Sequence, residues 1–270
     1  MLICGAFAPI RHPRKAVFQH MASRIALWAS LILLATGPGA STALAIPKTL
    51  GYTFYVEGEP VGRTDIRVTQ TPGALTFDSN TRVLTGLSVI ALRAHTVADP
   101  KTFVVRDFSL EGTKGEHRIS CEVHVDGDSV YGFIDTGAGP QGKELKLMYP
   151  QTVVFEDWVM ELQILMALAQ GRSTRANNNY GMVFATSFLP TEVMMGYAGD
   201  VLVEAGSRSM AARKLVIAIR GADPFESHID PVRGVPVYAC VPVSRAEAFL
   251  DEVFGENPVT RFPPKKKSAE

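Results

Sequence analysis

From residue 50 onward the chain is dominated by short runs in which apolar and polar residues alternate. The clearest covers 117–134. Ile119, Cys121, Val123 and Val125 fall on one side, and Ser120, Glu122 and His124 on the other. A period of two with one apolar face predicts a half-buried strand. Asp126-Gly127 suits a primed turn with positive φ at both central residues. That turn pairs Val123 with Val130 and Ile119 with Ile134, and sets Gly132 opposite Cys121. A glycine on the apolar face predicts a bend, or room for a ligand. The same alternation predicts a hairpin over 51–69 and strands over 74–83, 92–97, 102–111, 145–149, 193–203 and 212–220. Thr71-Pro72-Gly73 and the stretch 230–234 read as turns. A last strand covers 234–243, and its prolines at 236 and 242 predict a place at a sheet edge. Residues 84–91 show no clear period.

One stretch breaks the pattern. After Pro150, Phe155, Trp158, Val159, Leu162, Leu165, Met166 and Ala169 recur at spacings of three and four, which predicts a helix over 154–170. Glu156 and Asp157 fall in its first turn, where they suit the helix dipole. Met160, Ile164 and Leu168 carry the apolar surface round to a second side, so the helix is expected to be buried, cradled by a curved sheet. A short terminal helix is expected over 246–254. Many short strands with one prominent helix make an α+β fold: a large curved antiparallel sheet wrapping one buried helix.

Charge divides the chain. Residues 1–45 hold Arg11, Arg14, Lys15 and Arg24 and no acid, then a short apolar run and Ala43-Leu44-Ala45. This is the layout of a secretory signal peptide, and Met21 is the better-placed start. The expectation is a protein exported to the periplasm, with one β-rich domain over 46–257 and a disordered basic tail over 258–270. The full chain has 27 basic and 27 acidic residues. Without 1–45 the acids are in excess, which argues against nucleic acid as a partner. Cys121 and Cys240 remain, and a disulfide between them requires their Cβ atoms to point at each other.

Three segments carry a resemblance. They are Gly51-Tyr52-Thr53-Phe54-Tyr55-Val56 with Val61-Gly62, then Arg106-Asp107-Phe108-Ser109-Leu110-Glu111-Gly112, and Ile229-Asp230-Pro231-Val232-Arg233-Gly234-Val235-Pro236. Together they resemble bacterial periplasmic domains of unknown function that are similar in shape to the lipoprotein carriers LolA and LolB. The resemblance implies an unclosed β-barrel around a helix, with a lipid or glycolipid as ligand.

Chemical motifs are few. Asp135-Thr136-Gly137, at the end of an apolar strand, looks like the catalytic turn of retropepsin-like aspartic proteases, in which two aspartates share a proton. With one such triplet, a homodimer would be required. His117 and His124 fall on opposite faces of one strand, so no metal site is expected. No nucleophile elbow, phosphate loop or dinucleotide fingerprint is present, and no cofactor is expected. The reading that results is a non-enzymatic binder of a lipid-like or other apolar molecule, held between sheet and helix. Tyr52, Phe54, Trp158, Leu162 and Met166 are the expected lining. The alternatives are the protease, with Asp135, Thr136 and Gly137, and a scaffold that docks an envelope protein on a sheet edge.

Overall fold

The computed structural model describes residues 46–149, 151–172, 177–205, 208–255 and 258–262. The proposed signal peptide, the 206–207 connection and the lysines of the tail lie outside the described residues. The chain is mostly β. Among the described residues, fifteen strands form one large, curved, unclosed sheet. In chain order they are β1 Thr49–Val56, β2 Glu59–Gln70, β3 Leu75–Thr85, β4 Ser88–Ala98, β5 Val105–Lys114, β6 His117–Asp126, β7 Ser129–Asp135, β8 Gln141–Lys146, β9 Thr152–Phe155, β10 Asn177–Phe184, β11 Leu189–Ala205, β12 Arg208–Ile219, β13 Phe225–Ile229, β14 Pro236–Val241 and β15 Ala246–Leu250. Helix α1 is Met160–Arg172 and α2 is Asp251–Phe254. Across the sheet the order runs from β8 back to β1, then from β15 back to β9. Neighbours are antiparallel, except that β9 and β10 are parallel.

That parallel pair explains the helix. Parallel neighbours need a crossover, and a crossover helix packs on a sheet face. Here α1 is the crossover, and the face it covers is the apolar one. Leu162, Ile164, Leu165 and Leu168 share a core with β1–β7, while Met166 and Ala167 share one with β10–β13. The helix is apolar on more than one side because the sheet is on more than one side of it.

Several expectations are corrected. The helix begins at Met160, not at 154. The β-branched pair Val153-Val154 extends into β9, and Trp158 takes φ +67°, a conformation that cannot continue a helix. The chain from 246 to 250 is a strand, and only Asp251–Phe254 turns helical. The strand expected over 145–149 lies earlier, as β8 over Gln141–Lys146. Strand β14 is interior, between β13 and β15. Its Pro236 is the first strand residue and sits at a register shift, and Pro242 lies beyond the strand end, so neither is needed as a ladder donor.

The central hairpin also has a different register. Asp126 pairs Ser129, Val125 pairs Val130 and Val123 pairs Gly132. The two turn residues are Gly127 and Asp128, and only Gly127 has positive φ, at 63°, as in a type II′ turn. Gly132 is then a close approach, not room for a ligand: a Cβ there would run into the Glu122 carbonyl oxygen on β6. Gly132→Val is expected to destabilise the fold by about 1–3 kcal/mol, read from the urea midpoint. An unchanged midpoint would mean that β6 and β7 are not pressed together there.

Candidate functional site

The inner face of the sheet is closed by α1. Tyr52 is fully buried and its hydroxyl donates to the Pro236 carbonyl at 2.8 Å. Burial pushes its ionisation far above the usual tyrosine range. Phe54 meets Trp158 edge to face, with ring centroids 5.3 Å apart. Leu162 packs in the same cluster as these three. Met166 lies in the other, with Tyr180, Met182 and Met195. So four of the five expected lining residues come together, as core.

A polar patch interrupts that core. Thr81 donates to the Thr64 hydroxyl at 2.7 Å. Ser79, a small inward residue between Ile66 and Ala94 in the cross-strand row, donates to Glu161 Oε1 at 2.5 Å. Glu161 is fully buried on α1, and its Oε2 has no hydrogen-bond partner. Burial raises its carboxyl to about 7, against the opposing pull of the Ser79 bond.

The open space is on the other face. A trough of about 1220 Å³ runs across β1–β7, and a recess of about 660 Å³ adjoins it over β2–β6. None of the five residues above lines either. The trough floor consists of two cross-strand rows set by the register. One is Thr49, Arg67, Asp78, His95, Ser109, Glu122 and Phe133; the other is Gly51, Asp65, Asn80, Arg93, Glu111, Ser120 and Asp135. Both signs of charge occur along each row, Arg67 with Asp78 and Glu122 in the first and Arg93 with Asp65, Glu111 and Asp135 in the second. His95 Nδ1 lies 2.7 Å from Asp78 Oδ1, and Arg93 Nη1 lies 4.0 Å from Glu111 Oε1. Arg63 closes one end, bonded to Asp65 at 2.8 Å and paired with Asp251 at 3.1 Å. The Asp65 bond leads in holding its guanidinium above the usual value. Surface pairs of this kind contribute little stability; their effect is a fixed pattern of both charge signs.

Asp135 ends β7 at the far end of the second row. Its Oδ1 accepts from the Gly137 amide at 2.8 Å and from the Gly139 amide at 3.1 Å. Here Asp-Thr-Gly is a capped turn after a strand. Thr136 is exposed beside it, and Gly137 takes φ +101°. Cys121 and Cys240 are both free and buried, and burial pushes the Cys121 thiol up to about 12. Among the described residues no group of His, Cys, Asp and Glu could hold a metal ion.

No family model matches this chain, and no curated protein matches it. The chain is similar to the crystal structure of a DUF1089 family protein from Pseudomonas aeruginosa. The two share 10% identity with a TM-score of 0.41, over 64% of this chain and 87% of that one.

The trough residues are hidden in the sequence for a simple reason. Arg63, Arg67, Arg93, His95, Glu111 and Glu122 are the polar members of the alternation, and each alone reads as ordinary strand surface. Only the register of six pairings lines them up. The hint available was that both signs of charge recur at alternate positions over 63–122.

Proposed function

We propose that this is an exported binding protein, not a catalyst, and that it takes a polar, charge-bearing ligand in the outer trough. The carrying observation is where the space lies. The inner face is filled by α1, and the trough over β1–β7 is floored by two rows that carry both signs of charge. At about 1220 Å³ it is larger than a typical small-molecule pocket of roughly 300–1,000 Å³, which suits an extended ligand. Export to the periplasm, and the resemblance to lipoprotein carriers, belong to this proposal. A lipid fits it through its headgroup rather than through an apolar tail between sheet and helix.

The test uses native mass spectrometry on protein purified from its own cells, followed by solvent extraction. Ser109, next to His95 in the first row, is replaced in Ser109→Trp to fill the trough. A stoichiometric adduct on the wild type that is absent from the variant is the expected result. An adduct that survives in Ser109→Trp would overturn the trough as the site and return it to the sheet–helix interior. Peptidase activity abolished by Asp135→Ala would overturn the non-catalytic reading.

A further inference from the structure

The recess beside the trough has a different character. Its lining carries Arg63, Arg82, Arg93 and Arg118 against the acids Asp65 and Glu111, whereas the full chain has 27 bases and 27 acids. The arginines are not equivalent. Arg63 is committed to Asp65 and Asp251, and Arg93 stands near Glu111. Arg82 and Arg118 have no ion pair with any described residue. The register sets Arg63 directly opposite Arg82 on the neighbouring strand, a like-charge placement that costs stability. From Arg82 the cross-strand row continues through Ala91 and Thr113 to Arg118. Two short side chains thus floor a gap between two long cationic ones. With strands about 4.8 Å apart, three steps separate the backbones of Arg82 and Arg118 by about 14 Å. Side chains leaning inward from that separation can meet over one small group.

We infer that this gap is a binding subsite for a phosphoryl group, gripped by Arg82 and Arg118 above the Ala91–Thr113 floor. Guanidinium forks match phosphate oxygens two at a time, and these two forks have no competing acid of their own among the described residues. Arg93 and Arg63 hold the wall shared with the trough, so the subsite would take the anionic end of the trough ligand. The inference rests on the trough reading for its physiological ligand but not for its chemistry. The phosphoryl group could belong to a free phosphorylated molecule or to a lipid headgroup.

The experiment is calorimetric titration of the purified protein with inorganic pyrophosphate at low salt, beside co-sedimentation with vesicles of phosphatidylglycerol in phosphatidylcholine. Pyrophosphate binding that weakens with added salt, and falls at least tenfold in the Arg82→Gln/Arg118→Gln variant, is expected. The same variant should melt at an unchanged or higher temperature, since it relieves the Arg63–Arg82 placement; a merely structural role would lower it. Ser109→Trp should keep pyrophosphate binding, because Ser109 does not line the recess. Failure of the trough reading and failure of the subsite are therefore separate results. Arginine-dependent vesicle binding would name the lipid source, and pyrophosphate binding without it the free one. No pyrophosphate binding by the wild type, or equal binding by the double variant, would overturn the inference.

Discussion

The protein is expected to lose roughly 3 kcal/mol of stability between pH 4.5 and 7 through a single side chain, Glu161. Its carboxyl titrates near 7 when folded, against an ordinary 4.5, and every tenfold gain in proton affinity corresponds to about 1.4 kcal/mol. The sign follows from proton binding. In this window the unfolded chain has released the Glu161 proton and the folded chain still holds it, so stability falls as pH rises and levels off above 7. The cause is geometric: Glu161 is fully buried on α1, with one hydrogen bond from Ser79 and one oxygen without a partner. Glu161→Gln keeps the shape and cannot ionise. It should be more stable than the wild type at pH 8 by roughly that amount, and nearly equal to it at pH 4. His228 works in the opposite direction, because burial lowers its pKa, so the difference between variant and wild type isolates Glu161. Parallel urea curves at pH 4 and pH 8 are the measurement. A gap between the two proteins that does not grow with pH would show that Glu161 is not buried as described.

Glu156→Ala is expected to cost about 3 kcal/mol. Glu156 follows β9 and is almost fully buried. One oxygen takes the Lys114 ammonium of β5 at 2.8 Å, and the other takes the Thr186 amide at 3.0 Å and its hydroxyl at 2.6 Å. Three separated stretches, the residue after β9, the end of β5 and the turn after β10, meet on one carboxylate. Removing it strands Thr186 donors that are partly buried. Lys114→Ala should cost less, since Lys114 is about one-third exposed and water can replace part of what it loses. A double-mutant cycle with Lys114→Ala should give a coupling of about 1 kcal/mol or more. Simple additivity would mean that the pair is no stronger than a surface contact.

Much of the fold was legible in the chain. The alternation over 51–69, 74–83, 92–97 and 117–134 forms strands because side-chain period two needs no distant information, whereas 84–91, without a clear period, holds the end of β3 and the start of β4. The breadth of the apolar surface on α1 announced that the helix was buried. The start of the helix was misplaced because Phe155, Trp158 and Val159 mimic helical spacing. Their conformations are fixed instead by the parallel pairing of β9 with β10 and by contacts of Trp158 with Phe54 and Thr81. Asp135-Thr136-Gly137 shows the opposite problem, a chemically suggestive triplet whose amides and carboxylate satisfy one another locally.

Side-chain spacing and composition were enough to set the period of most strands and the presence of one helix apolar on more than one side, because these are local properties. Long-range packing alone decided that the helix would be the crossover of a parallel pair at one end of the sheet. It also decided that the open space would lie on the charged outer face, and that Arg82 and Arg118 would flank a gap floored by Ala91 and Thr113. Those outcomes depend on strand register, and each register is fixed by a turn geometry and a buried face summed over several neighbouring strands.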